Sequence, residues 1–321
     1  KAPPNMDHGP TQSPAVFDVL VVGAGPAGLM AAEQAAQAGM RVAVAEAMPS
    51  PARKFLMAGK SGLNLTKAEK PEAFLQYFDA ISSLKPILSE FGPDEVIGFA
   101  EGLGQEVFTG STGRVFPTRM KASPLLRAWL ARLDALGVVL LRRHRWVGPL
   151  TPHTQHLFET PKGKVPLTAG ALILALGGAS WARLGSDGTW QRAVAAAGLP
   201  IAPMQASNVG MQRAWSAHMQ PFFAQPVKNV ELTVAGQRSR GEFVITQSGV
   251  EGGAIYALGR MLRQTPLVQI DFAPQLSVQV LRAMISNRKT KDSLGNFLRK
   301  SVKLDATKRA LLFELTRPMS R

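Results

Sequence analysis

Cysteine is missing from this sequence: none of its 321 residues is one. The absence excludes disulfide scaffolds, zinc and iron–sulfur sites with cysteine ligands, and dithiol redox relays. Histidine is scarce as well, with five in the chain. His153 and His156 share a proline-containing segment that we interpret as a solvated turn, so we predict no metal site.

Long apolar runs are also missing. The longest candidate, residues 169–179, is much shorter than the roughly 18 apolar residues that identify a membrane-spanning helix, and it contains glycines. Residues 1–15 are rich in proline and polar side chains and lack the apolar core of a secretory signal. We interpret 1–15 as a disordered leader and expect a cytoplasmic protein without a membrane partner.

Acidic residues are few compared with basic ones: 22 Asp and Glu stand against 37 Lys and Arg, for a formal net charge of +15. Part of the excess lies in the tail, residues 282–321. We favour a solvated helical surface for these basic helices, and a nucleic-acid contact is the alternative. The 45% hydrophobic and 18% charged content is typical of a globular protein with one large or two medium domains.

The best-defined motif occupies residues 18–46, where a strand, a glycine turn, a helix and a second strand follow one another. A short apolar run at 19–22 predicts a buried parallel strand. Gly23, Gly25 and Gly28 follow it with G-x-G-x-x-G spacing. The first glycine of this motif allows a sharp turn, the second lets a pyrophosphate approach the backbone, and the third lets the helix pack close to the strand.

The helix predicted at 26–38 presents free backbone N–H groups and the positive end of its dipole to the place where phosphates would lie. A second strand, 41–45, ends at Glu46, about 20 residues beyond the glycines, where a carboxylate can accept hydrogen bonds from both ribose hydroxyls. A carboxylate would repel a 2′-phosphate, so Glu46 disfavours NADP here but does not separate NAD from FAD. The segment predicts a dinucleotide-binding unit.

The segment 47–66 has little periodicity and is rich in glycine, serine and lysine, so we predict a long functional loop, with an ordinary surface loop as the alternative. The residues that would bring positive charge or close backbone approach to the ligand are Arg53, Lys54, Gly59, Lys60, Ser61 and Gly62.

A second ligand-facing segment is predicted near residue 177. Separate strands are predicted at 164–167 and 171–176, and the latter ends at Gly177 and Gly178. Two glycines there place bare backbone at the carboxyl edge of the sheet, where open α/β sheets bind ligands. Upstream, Ser123 is predicted to cap a helix that leads into the next strand, as expected for a parallel α/β sheet.

From about residue 205 the character of the sequence changes. Polar, glycine-punctuated strands are predicted at 205–273, and basic helices at 274–321. We therefore predict a second domain at 205–321, following a dinucleotide-binding domain at 16–204.

Four segments together resemble one known family: GAGPAGLMAAEQAAQAG, KFLMAGKSGLNLT, GRVFPTRMKASPLL and LALGGASWARLGSDGTW. They are similar to the BaiN/YhiN-like group of bacterial FAD-dependent oxidoreductases, and the resemblance covers most of residues 17–262. It implies an α/β fold in which a Rossmann-like FAD-binding domain, a parallel sheet plus a small β-meander, is interrupted by an inserted β-barrel and helical domain. Relatives return to the FAD domain after the insertion, and we expect that segment to be absent before Arg321.

The resemblance also implies which residues contact FAD. The pyrophosphate would lie on residues 23–28, the adenosine ribose on Glu46 and the adenine beside Trp146. The full predicted set is Gly23, Gly25, Pro26, Ala27, Gly28, Glu46, Lys54, Gly59, Lys60, Ser61, Gly62, Asn64, Trp146, Gly177 and Gly178. No catalytic residue is assigned; Lys60 and Trp181 are candidates, and a plain core role for Trp181 stays open.

The resemblance predicts an FAD-dependent oxidoreductase in which NAD(P)H drives the two-electron reduction of an organic acceptor, such as a C=C bond conjugated to a carbonyl. NAD(P)H would dock transiently, because the sequence has one nucleotide fingerprint. A flavin–disulfide reductase is excluded by the lack of cysteine. We expect a small-molecule substrate; the alternatives are a flavoprotein monooxygenase and a basic flavoprotein that binds or modifies nucleic acid. The substrate, the choice between NADH and NADPH, and the oligomeric state are not predicted.

Overall fold

The computed structural model describes residues 16–60, 62–75, 78, 83–150 and 155–316. The predicted leader at 1–15, Ser61 and His153 lie outside the described residues. Between Met204 and Gln205 the chain divides into two compact units.

The first unit combines strands and helices. Its strands are β1 (Val16–Val22), β2 (Val42–Glu46), β3 (Thr66–Lys67), β4 (Val107–Thr109), β5 (Arg114–Pro117), β6 (Val139–Arg142), β7 (Arg145–Trp146), β8 (Gln155–Thr160) and β9 (Gly163–Leu174). Its helices are α1 (Pro26–Gln37), α2 (Arg53–Ala58), α3 (Pro71–Leu75), α4 (Leu84–Glu90), α5 (Pro93–Gly102), α6 (Ala122–Ala135) and α7 (Gln191–Ala196), with a short 3₁₀ helix at Ala182–Leu184.

The main sheet has the strand order β6-β2-β1-β9-β8-β7. Its first four strands are parallel, and β9, β8 and β7 pair antiparallel as a meander. A separate three-stranded sheet has the order β3-β5-β4. The arrangement confirms the predicted α/β class with a parallel sheet and a small β-meander.

Strand β1 lies at the centre because both of its faces are apolar. Val19 and Val21 pack into one core cluster, which includes the buried apolar side chains of α1 and α6. Leu20 and Val22 pack into another on the opposite side of the sheet, against Phe158 of β8. A strand buried on both faces is a near-continuous apolar run, which is why the local sequence predicts it well.

Several local predictions for the first unit are wrong. The strands expected at 164–167 and 171–176 form the single strand β9, because its first half pairs with β8 while its second half continues along β1. The loop expected at 47–66 contains the helix α2. The cap predicted at Ser123 is not one, since α6 begins at Ala122 and its N-cap position is Lys121.

The interpretation of His156 as part of a solvated turn is also wrong. His156 lies on β8, is 5% exposed, and its Nδ1 atom is buried without a hydrogen-bond partner. Burial lowers the pKa of His156 below its usual value, because the charged form is costly away from water.

The buried His156 predicts a pH dependence of stability. Its folded-state pKa is lowered, so the unfolded chain binds more protons below pH 6.5 and stability is lost as pH falls through the histidine range. Replacing His156 by leucine should reduce the fall in the urea midpoint between about pH 7.5 and about pH 5. The exposed His218→Asn is the control and should leave that difference unchanged. An H156L protein that loses as much stability on acidification as the wild type would contradict the assignment.

The second unit is an antiparallel sheet with helices. Its elements are β10 (Met211–Gln212), β11 (Pro226–Val234), β12 (Gln237–Thr246), β13 (Gly249–Glu251), β14 (Gln269–Asp271), α8 (Gly253–Tyr256), α9 (Gly259–Gln264), α10 (Val278–Ser286), α11 (Leu294–Lys300) and α12 (Ala306–Thr316), with a 3₁₀ helix at Ala217–Phe222. The strand order of the sheet is β10-β13-β12-β11-β14. The resemblance implies a β-barrel in this part of the chain, and the structure has this five-stranded sheet there.

Helix α12 is anchored to the rest of the second unit by two buried polar side chains. Lys308 donates hydrogen bonds from Nζ to the backbone carbonyls of Asn229 at 3.0 Å and Phe272 at 2.8 Å. The carboxylate of Glu314 accepts hydrogen bonds from the backbone N–H and the hydroxyl of Ser216 at 2.8 and 2.7 Å. Lys308 therefore stabilises the fold.

None of the helices in the described part of the chain combines the length and the apolarity that a membrane crossing requires.

Candidate dinucleotide site

A cavity of about 900 Å³ lies at the carboxyl ends of β1, β2 and β9 in the first unit. Gly23, directly after β1, lines it and adopts a φ of +105°, where a Cβ atom would come within 2.3 Å of the Ala175 carbonyl oxygen. The turn between β1 and α1 therefore requires glycine at this position.

The N-terminus of α1 forms one wall of the cavity. Gly25 is the N-cap, no side chain caps the helix, and Pro26 follows at the first helical position. A Cβ atom on Gly25 would have no neighbour within 4 Å, so the backbone there is open to a ligand. A Cβ atom on Gly28 would lie 1.8 Å from the Gly23 carbonyl oxygen, which explains the third glycine by close packing. An uncapped helix N-terminus of this kind suits a pyrophosphate.

Glu46, the last residue of β2, also lines the cavity. Its Oε2 accepts a hydrogen bond from the backbone N–H of Ala24 at 2.9 Å, and its Oε1 accepts one from Met48 at 2.8 Å. These two donors fix the carboxylate in one orientation. Each carboxylate oxygen can accept a second hydrogen bond, which leaves room for the hydroxyls of a ribose.

Two nitrogen atoms on the cavity-lining residues are buried without a partner. They are Nε1 of Trp146 on β7 and Nε of Arg53 on α2. Buried polar groups in folded proteins are nearly always hydrogen-bonded, so an unpartnered donor at a cavity is a reason to expect a ligand acceptor there. With the glycine turn and Glu46, these donors fit the phosphate- and adenosine-bearing part of FAD.

Several cavity-lining residues were not predicted from the sequence, among them Arg145, Asp187 and Trp190. Arg145 pairs with Asp187 at 3.4 Å, and Trp190 donates a hydrogen bond from Nε1 to the Gly177 carbonyl at 3.1 Å. The backbone N–H of Thr189, with its hydroxyl and the Arg145 guanidinium, holds the pKa of Asp187 below its usual value. Pairing between residues that are distant in the sequence leaves no local signal beyond the residue types.

The predicted cofactor residues fall into three groups. Those that line the cavity are Gly23, Gly25, Pro26, Ala27, Glu46, Lys54, Trp146 and Gly177. Gly59 and Lys60 line a smaller cavity. The described residues that line neither are Gly28, Gly62, Asn64 and Gly178; Ser61 is outside the described residues. Gly28 acts through packing, and Gly178 accepts a hydrogen bond from the Ser186 hydroxyl.

The smaller cavity, about 390 Å³, lies beside the first and shares Ser50, Arg53 and Leu184 with it. Lys60 and Lys121 give it a positive rim. Two adjoining cavities, one of them walled by the helix N-terminus, suit an elongated ligand with an anionic middle.

Trp181 lines neither cavity and is 54% exposed. Its φ is +62°, an uncommon conformation for a bulky residue, and the Arg183 guanidinium lies 5.2 Å from the centre of its ring. The exposure excludes a plain core role. Next to it, the Ser180 hydroxyl accepts a hydrogen bond from Lys54 Nζ at 3.3 Å, which joins this loop to α2.

Comparison with known proteins agrees with the geometry. Residues 17–267 match the family model described as HI0933-like protein Rossmann domain. The ribosomal RNA dihydrouridine synthase of Escherichia coli (strain K12) is 23% identical over 285 residues, 88% of this chain and 70% of that protein. The protein of the same name from Haemophilus influenzae is 24% identical over 268 residues, 81% of this chain and 65% of that protein. The chain thus spans about two thirds of these relatives.

Among solved structures, the 3-ketosteroid-delta4-(5alpha)-dehydrogenase of Rhodococcus jostii RHA1 aligns over 96% of this chain and 80% of its own, with a TM-score of 0.45 and 14% identity.

Proposed function

We propose a reaction for this chain, which belongs to the HI0933-like Rossmann-domain family and is an FAD-dependent oxidoreductase. The reaction is the NAD(P)H-driven reduction of a C=C bond conjugated to a carbonyl, and the bond is C5=C6 of a uracil base in RNA. The observation that carries the cofactor assignment is Glu46, held by two backbone N–H groups at the rim of the cavity beside the α1 N-terminus.

The uracil assignment is supported by a chemical match. The sequence resemblance predicts an acceptor of the enone type, and both relatives at 23% and 24% identity are named ribosomal RNA dihydrouridine synthases. In uracil, C6 is the β-carbon of the C4 carbonyl, so it is the electrophilic end of the double bond. When bound, FAD would supply the two-electron redox chemistry. Overall, uracil would gain a hydride equivalent at C6 and a proton at C5 to give dihydrouracil, with NAD(P)H as the reductant that is oxidised to NAD(P)⁺.

In this proposal the chain's own residues bind and orient. The α1 N-terminus receives the pyrophosphate, Glu46 the ribose hydroxyls, and Trp146 Nε1 an acceptor on the adenine. The cavity with Lys60 on its rim is the flavin end, where a lysine stabilises negative charge on the reduced cofactor. Trp181, exposed and stacked on Arg183, offers a surface for a flat base.

The test is carried out on the full chain under anaerobic conditions. Its visible spectrum is recorded, NADH and NADPH are added separately, and unmodified ribosomal RNA made by transcription is then supplied. We expect a yellow protein that is bleached by a reduced nicotinamide, and dihydrouridine in the digested RNA, detected by mass spectrometry as a gain of two hydrogen atoms. The same mixture without nicotinamide is the control.

Three results would change the proposal in different ways. A protein that takes up no FAD would overturn the cofactor assignment. Bleaching without dihydrouridine would keep an FAD-dependent oxidoreductase and remove the uracil substrate. Oxygen-dependent hydroxylation of an added organic substrate would favour the monooxygenase alternative.

A further inference from the structure

The second unit has an uneven charge. Residues 205–321 contain seventeen lysines and arginines against seven aspartates and glutamates. Seven of these cations lie between residues 282 and 303, where Asp292 is the one acidic residue. We define the basic surface as these seven side chains: Arg282, Arg288, Lys289, Lys291, Arg299, Lys300 and Lys303.

All seven side chains of the basic surface are exposed, and none forms an ion pair with a carboxylate in the described part of the chain. The apolar sides of α10 and α11 explain this arrangement. Leu281 and Met284 of α10 pack against a core cluster that contains Phe297 and Leu298 of α11, so the cations occupy the remaining, solvent-facing sides. Unpaired like charges in one segment repel each other, which a polyanion relieves.

We infer that the basic surface binds the phosphate backbone of RNA. The inference deepens the proposed function, on which it rests, by assigning an RNA contact to the second unit. Lysine and arginine contacts to phosphates release counterions, and each contact adds affinity without sequence preference. Lys289 and Lys291 lie in the connection between α10 and α11, where their side chains meet no carboxylate.

An acidic membrane surface is the competing partner, because Val278, Ile285 and Leu294 are exposed close to the cations in the chain. Helices that lie on membranes present aromatic and leucine side chains on one side and cations on the other. In α10, Leu281 and Met284 pack against the protein's own core, and the exposed apolar side chains are the β-branched Val278, Val280 and Ile285, with no aromatic residue or leucine among them. The charge pattern therefore favours RNA.

The test compares two triple variants of the full chain that lose the same charge. The first is Lys289→Gln, Lys291→Gln and Lys300→Gln in the basic surface. The second, the matched control, is Lys85→Gln, Lys162→Gln and Lys164→Gln, which removes three exposed lysines of the first unit. Binding of a fluorescein-labelled single-stranded RNA of about 20 nucleotides is followed by anisotropy between about 50 and 300 mM KCl.

Each lost phosphate contact should make the slope of log K against log salt less negative by about 0.7. For the basic-surface variant we expect a change of about 2 and, at about 100 mM salt, an affinity roughly 10- to 100-fold lower. The control variant should match the wild type. Equal losses of RNA affinity in both variants, or no loss in the first, would overturn the inference. Binding to phosphatidylserine vesicles that depends on the three lysines, with RNA binding that does not, would also overturn it.

FAD content and bleaching by NAD(P)H are recorded on the same samples. Intact flavin reduction with RNA binding that ignores the basic surface would sink the inference and leave the proposed redox function standing. RNA binding that depends on the basic surface in a protein without FAD would support the inference and sink the proposed function.

Discussion

Gly28→Ala is expected to destabilise the first unit by about 3 kcal/mol or more and to abolish retention of FAD. The added Cβ atom would lie 1.8 Å from the Gly23 carbonyl oxygen, which is backbone and has no rotamer to change. Alanine gains about 1 kcal/mol of helix propensity over glycine, which is too little to offset the overlap. Helix α1 would have to move away from β1, and the cavity wall would move with it.

Gly25→Ala is the matched control for this prediction. Its Cβ atom would meet nothing within 4 Å, so the fold should be nearly as stable as the wild type, although FAD should bind more weakly because the methyl group obstructs the pyrophosphate. Urea unfolding and FAD titration of both variants check the pair. A G28A protein as stable as the wild type would contradict the close approach of Gly28 in α1 to the Gly23 carbonyl oxygen after β1. A G25A protein with unchanged FAD affinity would show that the ligand does not approach this turn.

Glu33→Met is expected to cost about 3 kcal/mol of stability, because it removes the acceptor from a buried polar network. Glu33 on α1 is 2% exposed, and its carboxylate accepts hydrogen bonds from Trp129 Nε1 at 2.6 Å and from Arg132 at 3.1 Å. Both donors lie on α6, so the network joins α1 to α6. Methionine fills the space but leaves the indole N–H and part of the guanidinium without a partner.

A double-mutant cycle with Arg132→Met separates the ion pair from the rest of this network. The double variant should recover part of the loss, because removing both partners costs less than leaving one unpaired. Glu90→Met, at an exposed position of α4, is the control and should change stability by less than about 0.5 kcal/mol. Strict additivity in the cycle would contradict the direct contact between Glu33 and Arg132.

The unit from β1 to β2 could be predicted because its signals are local. An apolar run buried on both faces, three glycines with distinct steric reasons and an acidic residue at the strand end are all readable within residues 18–46. The three glycines differ in their surroundings: a Cβ atom would lie 2.3 Å from a backbone oxygen on Gly23 and 1.8 Å from one on Gly28, and on Gly25 it would meet nothing within 4 Å. The family and the fold class that the motifs predict are confirmed.

The rest could not be predicted because it depends on pairings across the chain. Glu33 is the one charged residue in the sequence of residues 26–38, and its partner Trp129 is 96 residues away. Arg145 and Asp187 come together at the cavity rim from segments 42 residues apart. Histidine is often exposed in proteins, yet the register of β8 against β9 places His156 in the interior. Tertiary context decides each of these positions, and one sequence does not contain it.

We infer that Gly25 and Glu46 belong to the ADP-binding half of an FAD site. The most direct measurement is the Kd of FAD for the full chain and for Glu46→Gln, by titration of the flavin-free protein. Both oxygens of Glu46 accept backbone hydrogen bonds, whereas glutamine would turn an NH₂ group toward Ala24 or Met48 and lose a ribose acceptor. We expect stoichiometric FAD binding by the wild type and a Kd raised about 10- to 100-fold in E46Q. Equal FAD affinities in the two proteins, with the fold intact in both, would contradict it.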